Sequence, residues 1–123
     1  MLASAKLVAF VTVSDAARAR VFYRDVLGLR LVSEDNFALV FDANGTMLRI
    51  AIASRVTAAP YTVLGWEIGD IEAAVRELAA AGVRCERYPG MQQDELGIWQ
   101  SPSGARVAWF KDPDGNTLSV TQH

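Results

Sequence analysis

A chain of 123 residues has room for one domain with a hydrophobic core, and with 51% hydrophobic and 21% charged residues it lies far from the composition of disordered chains. A formal net charge of -2, with the basic residues scattered, argues against nucleic acid as a partner. No apolar run approaches the ~20 residues of a membrane span and the N-terminus lacks the basic-apolar-small order of a secretion signal, so no membrane is expected as a partner and the protein is read as cytoplasmic.

Residues 6–13 are apolar and β-branched and predict a buried strand. Ser14 or Asp15 then caps a helix on which Ala19, Phe22, Val26 and Tyr23, Leu27 recur every three or four residues, and Gly28 closes it. Strands are predicted at 29–33, 37–41 and 47–53, separated by the turn formers Glu34-Asp35-Asn36 and Asp42-Ala43-Asn44-Gly45. The pattern breaks around Ala58-Ala59-Pro60, where a boundary is placed. Beyond it come a strand at 62–68, a helix capped by Asp70 with Ile71, Val75 and Leu78 inward, the closing Gly82, and strands at 83–88, 105–111 and 117–121.

These elements repeat. Val13-Ser14-Asp15, a helix, Gly28 and Asp42 to Ile50 have a second copy in Ile68-Gly69-Asp70, a helix, Gly82 and Asp112 to Val120. The second copy is longer, mostly between Pro89 and Ser103, where Gly97-Ile98-Trp99-Gln100 is expected to add a strand. A repeated β-α-β-β-β unit predicts an α+β protein of two modules, about 1–57 and 58–123, within a single domain.

Cys85 is the only cysteine, which leaves no internal disulfide; it reads as a small hydrophobe on a strand or as a reactive thiol. His123 is the only histidine, so one chain cannot supply a multi-histidine zinc or iron site.

Val21-Phe22-Tyr23-Arg24-Asp25-Val26-Leu27-Gly28-Leu29 after Val13-Ser14-Asp15, and Trp109-Phe110-Lys111-Asp112-Pro113-Asp114-Gly115-Asn116 near the end, resemble the vicinal-oxygen-chelate superfamily, also called the glyoxalase, bleomycin-resistance and dioxygenase group. The resemblance implies two βαβββ modules curving into an open, cupped mixed sheet with helices outside, frequent homodimers, and metal ligands on the first and last strands of each module. By this likeness the usual histidine positions fall on Val8 and Val63, and the usual carboxylate positions on Arg49 and Ser119. Valine has no donor, arginine stays protonated and lone serine is weak, so neither a metal nor another cofactor is expected.

Arg49 is expected to face the cavity and hold an oxyanion; otherwise it points outward or pairs with Glu67 or Asp42. Glu67, on the face of Val63 by alternation, is a candidate base in an apolar cavity or an arginine partner. Phe10, Tyr61, Trp66, Trp99 and Trp109 are candidates for an aromatic wall, with Trp99 favoured and Trp66 assigned to the core. Ligand contacts are expected from Val8, Phe10, Arg49, Val63, Trp99, Trp109 and Ser119. Asp112 to Asn116 reads as a turn or a calcium loop, and Met91 to Glu95 as a lid or a plain surface loop.

The favoured function is a metal-independent homodimer that binds a small, partly aromatic or anionic molecule, with antibiotic sequestration as one use. The competing readings are a metal-free isomerase or lyase with Glu67 as base, a lyase or dioxygenase with a metal site not visible in the sequence, and a partner-binding module.

Overall fold

In the computed structural model, which describes all 123 residues, the chain forms two compact units, Met1–Thr57 and Ala58–His123. The first opens with a 3-10 turn, Leu2–Ser4, followed by β1 (Val8–Val13) and α1 (Ala16–Arg20), which runs on as a π-helical segment, Val21–Val26. Strands β2 (Arg30–Glu34), β3 (Ala38–Ala43) and β4 (Thr46–Ile52) complete a βαβββ unit. Its sheet has the order β1-β4-β3-β2, with β1 parallel to β4 and the other pairs antiparallel. The parallel pair needs a long crossover, and the helix supplies its start.

Asp15, not Ser14, is the helix cap: its carboxylate accepts the Arg18 N–H at 3.0 Å. The wide turn, with Leu27 N–H bonded to Phe22 O at 2.9 Å, brings Phe22 and Tyr23 into the core together. Gly28 then takes φ +75°, a conformation that side chains resist. Val11, Val13, Leu39, Phe41, Leu48 and Ile50 are buried on one face of the sheet, and Tyr23 meets Phe41 at 6.1 Å between ring centroids. Each such side chain contributes roughly 1.5–3 kcal/mol on leaving water.

The second unit repeats the plan with β5 (Thr62–Glu67), α2 (Ile71–Ala80), β6 (Trp99–Gln100), β7 (Arg106–Lys111) and β8 (Thr117–Gln122), in the order β5-β8-β7-β6 with β5 parallel to β8. Asp70 caps α2 through the Ala73 N–H at 3.1 Å, and the Gln122 side chain accepts the Ile71 N–H at 2.9 Å. Ile71, Val75 and Leu78 are buried, and α2 packs on β7 and β8, whose inward residues include Ala108, Phe110, Leu118 and Val120. No helix is long and apolar enough to cross a membrane.

Residues 83–88 depart from expectation, because they form no strand. The edge of β7 is shared instead: Glu86 N–H reaches Trp109 O at 2.7 Å, while β6 pairs with Arg106 and Val107. The backbone groups a strand would have satisfied find a side chain. Gln93 Nε2 donates to Glu86 O and to Gly97 O, each at 2.8 Å, and its Oε1 accepts Tyr88 N–H at 2.8 Å.

Candidate functional site

In the first sheet, cross-strand partners share a face, so the register sorts the side chains. Val8, Met47 and Asp42 form one row, Phe10, Arg49 and Val40 the next, and Thr12, Ala51 and Ala38 the third, all opposite the face of Val11 and Ile50. This face is open: Phe10 is 62% exposed, Met47 46% and Val8 38%. Arg49 sits half-buried in its middle row and makes no ion pair within its unit. Asp42 pairs with Arg30 at 3.3 Å and accepts Gly45 N–H at 2.9 Å. The charge of Arg49 reaches Asp35, whose carboxyl lies below its usual range, first through the Phe37 and Ala38 N–H groups and then through that guanidinium.

The second sheet has a corresponding open face, on which Gly65, Ser119 and Trp109 form one row and Glu67, Thr121, Val107 and Trp99 the next. Trp109 Nε1 donates to Thr62 Oγ1 at 3.1 Å, so its indole reaches across β8 to the start of β5. Trp99 lies 6.0 Å from it at 38°, and Tyr88 5.6 Å at 83°, giving three half-buried aromatics in continuous contact. Trp66 pairs with Val120 and belongs to the helix-covered face, Tyr61 is exposed before β5, and Phe10 lies in the other unit.

One site residue departs from simple alternation, and two keep the expected face in unexpected surroundings. The register slips between Thr62 and Leu64, so Val63 is the extra residue of a bulge and alternation does not fix its direction. Ser119 is only 8% exposed, and a Cβ on Gly65 would lie 2.7 Å from its Oγ; the hydroxyl occupies space that only glycine leaves. Glu67 is exposed, which removes the apolar surroundings on which its role as a base was premised.

The segment Met91 to Glu95, read as a lid or a plain surface loop, is pinned by the three Gln93 bonds, by Asp94 Oδ1 accepting Leu96 and Ile98 N–H at 2.9 Å, and by Arg87 donating to Asp94 O and Glu95 O. No local pattern singles out Gln93, because its partners Tyr88 and Glu86 lie 5 and 7 residues before it in a segment without regular structure. Asp112 is buried and spends its carboxylate within a turn, on Asp114 and Asn116 N–H and on Asn116 Nδ2. That is turn chemistry, not a calcium loop. Cys85 is half-buried off any strand, and burial pushes its thiol up.

The donor set does not fit the divalent metal that the family resemblance implies: no three His, Cys, Asp or Glu side chains cluster, and Val8, Arg49, Val63 and Ser119 offer no suitable set of ligands.

The model of the Glyoxalase/Bleomycin resistance protein/Dioxygenase superfamily matches residues 6–120, and the chain belongs to that family. A Bacillus subtilis (strain 168) relative described as uncharacterized protein YraH is 30% identical over 88% of this chain and 90% of its own. Among solved structures, a superfamily member from Sphaerobacter thermophilus DSM 20745 is 24% identical with a TM-score of 0.77 and full coverage of both chains. Lactoylglutathione lyase from Agrobacterium tumefaciens is 21% identical, TM-score 0.75, covering 97% of this chain and 93% of its own. The fosfomycin resistance protein FosX from Listeria monocytogenes is 14% identical, TM-score 0.75, covering 98% and 93%. These likenesses establish the βαβββ fold.

Proposed function

We propose that this chain is a metal-independent small-molecule binder whose open sheet faces take anionic and planar organic groups. The carrying observation is Arg49: a guanidinium without an ion-pair partner in its unit, set among Phe10, Val8, Val40 and Met47 on an uncovered face. Five donors in a fixed fork can bind a carboxylate or phosphonate bidentately, and the flanking apolar surface favours an organic body over a free inorganic ion. On the second sheet Trp99 and Trp109 offer stacking surface for a planar group. Val8, Val63 and Ser119 belong to the same reading as lining positions. Homodimerisation is part of it too, supported by large apolar side chains left exposed, Phe10 and Phe37 among them.

The test is a panel of aromatic acids, keto acids and anionic antibiotics, fosfomycin included, read by thermal shift and tryptophan fluorescence. Binding is expected without turnover, weakened by Arg49→Ala, with quenching by planar ligands lost in Trp99→Ala. Turnover abolished by Glu67→Gln would replace this reading with an enzyme. Equal binding by wild type and both variants would remove these residues from the site.

A further inference from the structure

The cleft at the end of the first sheet where Lys6 and Leu7 lead into β1 has a chemistry unlike that of the indole wall. Its volume is ≈ 330 Å³, and its apolar lining is aliphatic: Leu7, Val8, Val32, Val40 and Met47. Val32 reaches it as the residue at which the β2 register slips against β3. Phe41 borders it too, yet its side chain is fully buried on the opposite face, so no aromatic ring lines the cleft.

Three charged groups stand at its rim, Lys6, Arg30 and Asp42. Asp42 is engaged by Arg30 at 3.3 Å and by Gly45 N–H at 2.9 Å, and Lys6 makes no ion pair, so the rim keeps one free positive charge. A water occupies ≈ 30 Å³ of liquid volume, so the cleft holds roughly ten non-hydrogen atoms. An aliphatic trough of that capacity beneath one uncompensated ammonium fits a single class of molecule.

We propose that this cleft binds a medium-chain aliphatic carboxylate of about eight carbons, its chain along Val8, Val40 and Met47 and its carboxylate at Lys6. The site shares Val8, Val40 and Met47 with the surface assigned above but does not require that assignment, since neither Arg49 nor any tryptophan lines it.

Calorimetric titration of the full chain with butanoate, hexanoate, octanoate and decanoate tests the proposal, with octylamine as the opposite-charge control. Affinity is expected to rise roughly fourfold per added methylene up to about eight carbons and then level off. Octylamine should not bind. Lys6→Glu should weaken octanoate about fivefold, as expected of an exposed charge pair. Val40→Phe, which fills the cleft from the open face and leaves the helix-covered core alone, should abolish binding with no loss of thermal stability.

A flat chain-length series, octylamine binding as well as octanoate, or octanoate binding unchanged in Val40→Phe would overturn the proposal. So would absence of octanoate binding together with a dimer that Val40→Phe dissociates, which would give the cleft to a second copy of the chain. Octanoate binding that survives Arg49→Ala and Trp99→Ala, beside a silent aromatic panel, would refute the functional reading and keep this one. The reverse pattern would do the opposite.

Discussion

At residue 65 a methyl in place of a hydrogen would crowd one atom of the neighbouring strand. A Cβ there would stand 2.7 Å from Ser119 Oγ, while the backbone oxygen of Ser119 is at an ordinary 3.5 Å, so the obstacle is the hydroxyl alone. Gly65→Ala is expected to cost about 1–3 kcal/mol, the usual penalty of overpacking. In a double-mutant cycle by urea denaturation, Ser119→Ala should recover most of that loss, whereas additive losses would show that the crowding lies elsewhere.

Asp35 gives a residue-scale test against pH. Its carboxyl is depressed by the Phe37 and Ala38 N–H groups and by Arg49, so its stabilisation is present above the unfolded-state value of about 3.9 and fades as pH falls through the lower folded value. Asp35→Asn should therefore flatten the fall in urea midpoint as pH is lowered below about 4. An unchanged slope would mean that this carboxylate is not coupled to folding. Cys85, its thiol pushed up by burial, should react slowly with iodoacetamide at pH 8 in the folded protein and quickly in urea. Equal rates would contradict the half-buried placement.

Among the elements, the helices and most strands were legible because their signals are local: an Asp at each cap, apolar residues every three or four positions, a glycine at each close. Residues 83–88 misled because Val83-Arg84-Cys85-Glu86 alternates as a strand does, although pairing also requires a free edge. That edge is partly taken by β6, and Gln93 meets the backbone of Glu86 and Tyr88 from the side. Gln93→Ala is accordingly expected to cost about 1–3 kcal/mol by leaving part-buried backbone groups unsatisfied. Hydrogen exchange should quicken at the Tyr88 amide and remain slow within α2. Unchanged protection at Tyr88 would show that a strand-like partner, not the side chain, satisfies this segment.

Over the whole chain the repeat of one βαβββ plan was readable, and so was the substitution of Val8, Arg49, Val63 and Ser119 at the positions where the resemblance places metal ligands. The two register slips were not, so an alternation count leaves the direction of Val63 unfixed and gives no hint that Val32 lines a cleft. Lys6, Arg30 and Asp42 are likewise far apart in sequence and come to one rim only through strand pairing. The most direct test of the central claim is thermal unfolding with a binding anionic aromatic ligand at 100 times its dissociation constant, with and without chelator. The expected result is the same stabilisation in both, about 2.7 kcal/mol. Stabilisation that disappears with chelator and returns with added zinc, nickel or manganese would contradict a site that works without a metal.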